Sequence, residues 1–330
     1  VSLAGRQVLV TGATGFLGGA LAVRLSQDGV NVKALARNPQ KAGYIKDKPN
    51  ITIVEGDITD AERMKQVMQG CSIVFHVAAA LGGNLQKQHH INIDGTRNVM
   101  LAAAEAKVER VMVVSSIAVY GYHYSGDITE DFEQRPGRVP YNLTKSQAET
   151  VVREISAQHN VPYSIIRPGM IYGPRSNGWT ATMFKLGKRN PTPFLGDGHG
   201  KAHPIYVDDV VDLMVVLATH PAAVGQAFNC SSDPAPTWRD FLGGYSRLAG
   251  HNRWLGIPPV VMRPIAPIIE LFLTLQGEPQ ELPTLVDFLQ ATKTYKMTKA
   301  RDLLGWQPKT DLQTGIDQCV PWLREQGLLK

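Results

Sequence analysis

Cysteine is scarce in this sequence: Cys71, Cys230 and Cys319 are the only three in 330 residues. Three cannot build a disulfide framework, none stands in a Cys-x-x-Cys pair, and a zinc site of ordinary spacing is excluded. A reducing, cytoplasmic setting without a bound metal is therefore expected. Charge of one sign is also in short supply. Lys and Arg total 34 against 29 Asp and Glu, a net charge of +5, and no window is a Lys/Arg-rich run. Nucleic acid is not an expected partner, although the isoelectric point is near 9.0. No long apolar run is unbroken. The best tract, from Leu255 to Leu275, is interrupted by Pro258, Pro259, Arg263, Pro264, Pro267 and Glu270. A membrane span needs about 20 nearly uninterrupted apolar residues, so none is expected here. The opening residues Val1 to Arg6 show no signal-peptide pattern, and there is no internal repeat.

What is present argues for a folded enzyme-sized chain. Apolar residues make up 43% and charged residues 19%, which excludes intrinsic disorder and allows one large domain or two modest ones. The first half alternates β-branched runs with helical patterns. Strands are predicted at Gln7 to Thr11, Val30 to Ala36, Ile51 to Val54, Ser72 to His76, Arg110 to Ser115 and Tyr163 to Arg167. Helices are predicted at Phe16 to Asp28, from Asp60 to near Gly70, in a long region from Asn84 to Lys107, and at Pro140 to His159. That alternation predicts an α/β fold with a doubly wound parallel sheet of Rossmann type. Residues 1–172, joined by 204–231, are expected to form the dinucleotide-binding domain. Residues 173–203, which lack a clear strand period, and the mostly helical 232–330 form the smaller substrate domain.

Between the first strand and first helix stands Thr11-Gly12-Ala13-Thr14-Gly15-Phe16-Leu17-Gly18. Gly12 permits a tight turn, Gly15 lets the backbone approach a pyrophosphate, and Gly18 allows close packing of helix on strand. The unpaired N–H groups of the helix start then face the phosphates. The end of the second strand selects the dinucleotide. An NAD site usually has a carboxylate there, but this chain reads Leu35-Ala36-Arg37-Asn38. A guanidinium suits a ribose 2′-phosphate, so NADP is favoured, with NAD open. Lys41 is a second candidate phosphate contact, and Arg37 as a plain solvated loop charge is the alternative. Asp57 either accepts from the adenine amino group or caps the segment that follows it.

Tyr141 and Lys145 stand at i and i+4 on a predicted helix, so phenol and ammonium share one face. A phenol with pKa near 10 is a poor base at neutral pH, and a neighbouring ammonium lowers it. A drop of two or three units takes ~3–4 kcal/mol of field. Upstream, Val114-Ser115-Ser116 ends a strand with hydroxyls able to bond a substrate oxygen.

Taken together, these residues resemble an extended short-chain dehydrogenase/reductase of the NAD-dependent epimerase/dehydratase type. The resemblance runs through the 11–18 loop, Gly56-Asp57-Ile58, His76-Val77-Ala78-Ala79, Asn92 to Asn98, Ser115 to Gly121, Tyr141 with Lys145, Arg167 to Pro174 and Tyr206 to Val210. It implies Tyr141 as acid/base, Lys145 as its modulator and a ribose contact, and Ser116 rather than Ser115 as the substrate-oxygen donor. For the cofactor it implies Gly12, Thr14, Gly15, Phe16, Leu17, Arg37, Asp57, Ile58, Val77, Ala78, Ala79, Asn92, Pro168 and Ile171, together with Tyr141 and Lys145. It also implies a homodimer built on the helices after Asn84 and Pro140.

The small-molecule substrate is less legible. Nucleotide-sugar members of the family usually carry an Arg before their Tyr-Val-x-Asp element, where this chain has Ala202 between Lys201 and His203. Residues 257 to 306 are more similar to the 3β-hydroxysteroid dehydrogenase and dihydroflavonol reductase branch. The expected reaction is therefore interconversion of a secondary alcohol and a ketone on an apolar or polycyclic molecule. The alternatives are a nucleotide-sugar epimerase/dehydratase and a non-catalytic cofactor sensor, which the intact Ser116, Tyr141 and Lys145 set argues against. The 255–275 tract roofs a substrate cleft, touches a membrane surface peripherally, or is ordinary core. His76 reads as a packing residue, and adjacent His89 and His90 do not share a helix face. Tyr122, His123 and Tyr124 line the substrate pocket or the surface. Cys71 and Cys230 read as small buried apolar residues.

Overall fold

A computed structural model of the chain describes residues 2–122, 124–275 and 282–330, with side chains left undescribed at 268–275 and 282–285. Seven parallel strands form one sheet: β1 (Gln7–Thr11), β2 (Asn31–Ala36), β3 (Ile51–Glu55), β4 (Ile73–His76), β5 (Arg110–Val114), β6 (Tyr163–Pro168) and β7 (Gln226–Cys230). Their order is β7-β6-β5-β4-β1-β2-β3, which reverses direction of growth at β1 and opens a crevice at the carboxyl ends of β1 and β4. The strand period of two sorts side chains onto two covered faces. Val8, Val10, Phe75, Met112 and Ile166 join Leu17, Leu21 and Leu25 and the Val207–Thr219 helix on one side. Leu9, Val74, Val111, Val113 and Ile165 meet Met64, Val99, Met100 and Val152 on the other. Cys71, Cys230 and Cys319 are free and buried.

Two predicted stretches fold differently from their sequence pattern. The long helix over 84–107 is broken into Leu85–His89, a π turn at His90–Asp94 and the helix Gly95–Glu105. The wider turn carries Asn92 inward, and Gly95 follows because a Cβ there would lie 2.6 Å from Ile58 Cδ1. The region 173–203, expected without strands, holds the helix Thr182–Gly187 and the strand Thr192–Leu195. That strand is too short to show a period, and it is held by Trp254–Ile257, some sixty residues on in sequence. The last strand Gln226–Cys230 returns to the sheet edge beside β6.

Beyond the sheet, Trp238–Leu248 starts on a capping box in which Thr237 and Asp240 satisfy each other's backbone. The 255–275 tract gives a strand and the helix Pro259–Leu275 with Pro264 and Pro267 inside it. Leu255, Val260, Val261 and Ile265 are exposed, so ordinary core does not account for this half of the tract. Among the described residues no helix is long and apolar enough to cross a membrane.

Candidate active site

The site is built at the carboxyl edge of the sheet. Gly12 has φ +69°, and a Cβ there would stand 2.8 Å from the Ala78 backbone nitrogen. A Cβ on Gly18 would stand 2.3 Å from the Gly12 carbonyl oxygen. No side chain fits either place, so the loop lies flat against the end of β4 and the Phe16–Gln27 helix points its free N–H groups past an exposed Gly15. This cradle of bare backbone fits a dinucleotide pyrophosphate. Thr14 is half-buried beside it. Leu17 and Ile58 turn into the core and Phe16 packs against it, so these side chains are taken up by packing.

A buried hydrogen-bond chain fixes the crevice walls. Thr11 Oγ1 accepts from the N–H groups of Val77 and Ala78, both at 3.1 Å. Its own proton is left for His76 Nδ1 at 3.0 Å. Thr96 donates to the Asn92 carbonyl, leaving its oxygen to accept from His76 Nε2–H at 2.9 Å. His76 is thus neutral with the proton on Nε2, and burial with the nearby Lys145 charge lowers its pKa to about 3. Asn92 holds Ala80 from both sides, accepting from its N–H at 2.7 Å and donating to its carbonyl at 3.1 Å. The same amide donates to Thr144 on the Pro140–His159 helix at 3.0 Å. The half-buried Val77, Ala78 and Ala79 are held in place by these bonds. Pro168 at the end of β6 and half-buried Ile171 in the strand Met170–Tyr172 stand at the same edge.

Tyr141 is hydrogen-bonded to Ser116. Ser116 also caps the Ile117–Tyr120 turn by accepting from the Ala118 N–H at 3.1 Å, whereas Ser115 faces Glu149. Lys145 donates to the Val114 carbonyl at 2.8 Å. Burial pushes the Tyr141 hydroxyl up to about 12, with Ser116 opposing and Tyr122 adding to the rise. Burial also brings Lys145 down to about 8, with Glu149 opposing. The spacing of i and i+4 puts both groups on one helical face, but the strand carbonyl captures the ammonium.

Arg37 follows β2 with its side chain 71% exposed and only a loose ion pair, 3.9 Å to Asp57. It stands free to meet a phosphate. Asp57 Oδ1 accepts from the N–H and hydroxyl of Thr59, both at 3.0 Å, which is the capping role. His89 and His90 reach Asp94 at the surface. Ala202 is fully buried, and Lys201 donates to the Ala235 carbonyl at 3.2 Å, so no bidentate clamp forms there. Tyr122 packs on Phe288 at 5.5 Å next to the Tyr141 hydroxyl, and Phe288 packs on Trp238. Tyr124 packs away from this wall, on Phe132. His123 lies outside the described residues.

The residues that sequence reasoning missed are Glu149 and Arg167. Glu149 is one helical turn past Lys145, accepts from Arg167 Nε and Nη2 at 2.9 and 2.8 Å, and is held down to about 2, the Arg167 guanidinium outweighing its burial. The i+4 repeat Tyr141, Lys145, Glu149 was the available signal.

A model of the family described as NAD dependent epimerase/dehydratase matches residues 8–231. Among curated proteins, a 3beta-hydroxysteroid-dehydrogenase/decarboxylase (isoform 2) of Arabidopsis thaliana is 28% identical over 96% of this chain, and the chain spans 61% of that relative's length. A decarboxylating sterol-4-alpha-carboxylate 3-dehydrogenase of Candida albicans is 25% identical, covering 97% of this chain and 98% of its own. A UDP-glucose 4-epimerase of Mycolicibacterium smegmatis is 28% identical over 97% of this chain and 99% of its own.

Proposed function

We propose that this chain, which belongs to the NAD-dependent epimerase/dehydratase family, interconverts a secondary alcohol and a ketone on an apolar small molecule. The observation that carries the reading is the Tyr141–Ser116 hydroxyl pair at the carboxyl edge of the sheet, the edge that also bears the glycine loop of bare backbone. The nicotinamide cofactor supplies or accepts the hydride. Ser116 orients the substrate oxygen, and Tyr141, a phenol kept protonated in the protein alone, hands over or takes the proton at that oxygen. Lys145 fixes the strand end through Val114 and stands one turn from the phenol to contact the cofactor ribose. Gly12, Thr14 and Gly15 take the pyrophosphate, and Val77 to Ala79, Asn92, Pro168 and Ile171 line the nicotinamide half.

The aromatic wall of Tyr122, Phe288 and Trp238, together with Ala202 in place of a clamp, favours an apolar skeleton over a nucleotide sugar. The two sterol relatives named above point the same way. The UDP-glucose 4-epimerase keeps a nucleotide-sugar reading as the alternative. Nicotinamide absorbance separates the two. An alcohol/ketone oxidoreductase is expected to convert cofactor stoichiometrically with sterol-like or alicyclic alcohols. Turnover of UDP-sugars with no net change in reduced cofactor sinks this reading.

Within the same proposal Arg37 receives the 2′-phosphate of NADP. Arg37→Ala is expected to weaken NADP binding roughly tenfold or more, the cost of a charge-assisted contact. NAD binding measured by the same titration should change much less. Equal losses for both dinucleotides would remove Arg37 from the phosphate site.

A further inference from the structure

Lys293 is a fully buried cation that the site described above does not use. It precedes the short strand Thr294–Tyr295, and its ammonium donates to the carbonyl of Gly121, just past the Ser116–Tyr120 turn. It sits 5.1 Å from the ring centre of Tyr122 and 5.7 Å from that of Tyr295. An ammonium has three donors, and Gly121 is its one acceptor among the described residues. No carboxylate among them pairs with it. Beside it lies His203, also fully buried, its ring edge-on to Tyr295 at 4.7 Å. Neither nitrogen of His203 has a hydrogen-bond partner among the described residues. Burial and the charges of Lys293 and Lys201 lower its pKa to about 3, so it presents one neutral N–H donor.

A buried ammonium without a counter-ion and a buried imidazole without a partner are each costly, and both costs vanish if one anion meets them. The pair lies one ring from the chemistry, because Tyr122 touches Lys293 on one side and acts on the Tyr141 hydroxyl on the other. One positive charge plus one neutral donor balances a single negative charge, which suits a carboxylate rather than a diphosphate.

We propose that Lys293 and His203 form a subsite for a carboxylate that the substrate carries close to its reacting alcohol or ketone carbon. The inference rests on the alcohol/ketone reading above and names its substrate class, hydroxy or oxo acids on an apolar skeleton. A structural role for Lys293, tying down Gly121, is the competing account, and it predicts no discrimination between an acid and its ester.

The experiment is calorimetric binding to the full chain saturated with reduced cofactor, so that no hydroxy acid turns over. The probes are 2-hydroxycyclohexanecarboxylate and 3-hydroxydecanoate, each with its methyl ester, and UDP. The acids are expected to bind roughly tenfold tighter than the esters, the worth of one charge-assisted contact. Lys293→Met, of similar volume, is expected to erase the difference. The wild-type comparison stands without any variant, so a folding failure of Lys293→Met leaves the test intact. Absence of an acid preference in the wild-type protein, including absence of binding, overturns the subsite. So does a preference that survives in Lys293→Met, or a UDP affinity that depends on Lys293 while the acids' affinity does not. Net nicotinamide turnover on neutral alcohols without acid preference overturns the subsite alone. Acid preference in a chain that never converts cofactor keeps the subsite and overturns the oxidoreductase reading.

Discussion

Replacing Tyr141 by phenylalanine is expected to lower kcat about 10²–10⁴-fold, the usual worth of a positioned proton donor or acceptor, while cofactor affinity stays nearly unchanged. The substitution removes one oxygen. The ring keeps its place at the start of the Pro140–His159 helix, and the glycine cradle does not touch it. Ser116 retains its bond from the Ala118 N–H, so the strand end keeps its shape. What disappears is the hydroxyl proposed above to carry the proton. Steady-state turnover together with a cofactor titration checks this, and kcat within a few-fold of the parent would remove Tyr141 from the chemistry. Burial holds the phenol near 12, so in the protein alone it is a donor across the neutral range. Drawing a proton to it during alcohol oxidation needs that pKa to fall, which calls for positive charge beside the phenol once a cofactor is bound.

Replacing Arg167 by methionine is expected to cost about 3–5 kcal/mol of folding stability, because it leaves a buried carboxylate short of its main counter-charge. The Glu149 side chain is 1% exposed and that of Arg167 3%. Arg167 gives Glu149 two bonds, a third to the Tyr120 hydroxyl at 2.6 Å and a fourth to the Glu130 carbonyl at 3.2 Å. It thereby ties β6 to the helix bearing Tyr141 and to the loop below the substrate wall. Arg153 and Gln134 remain on Glu149, both at 2.7 Å, and soften the loss. Denaturant unfolding measures it, and a loss below about 1 kcal/mol would mean those two suffice. Adding Glu149→Leu to Arg167→Met should recover part of the stability, since the penalty is mostly the orphaned charge. The pH dependence follows from the same pair. Glu149 is held at about 2 against an ordinary 4.5, so its contribution is complete above 4.5 and is lost as pH falls through about 2. Acid should therefore destabilise the parent more steeply than the Arg167→Met protein over that window.

The local part of the site was legible because helical and strand periods are local. Gly12, Gly15 and Gly18 between a strand and a helix, and Tyr141 and Lys145 at a four-residue step, follow from the chain's own geometry. Strands alternating with helices announced a parallel sheet, and the structure sends Val8 and Val10 to one covered face and Leu9 to the other. The π turn at 90–94 was not legible, since its residues carry an ordinary helical pattern. Nor were the two-residue and three-residue strand pairs, such as Asp127–Ile128 with Thr294–Tyr295, which exist only because distant partners meet.

Sequence by itself determined the fold class, the glycine turn after β1 and the helical face that Tyr141 and Lys145 share, because each depends on spacing within one or two elements. Tertiary structure alone decided what those groups do to one another. Lys145 bonds a strand carbonyl 31 residues away instead of the phenol four residues away. Ser116 and Ser115, identical in type and adjacent, are separated by the pleat into one facing Tyr141 and one facing Glu149. Lys293 is brought beside Gly121 across 172 residues, into a place where burial strips water from its charge. Charge and donor count are properties of a residue, whereas solvation and counter-ions belong to its neighbours, and the chain chooses those only when it folds.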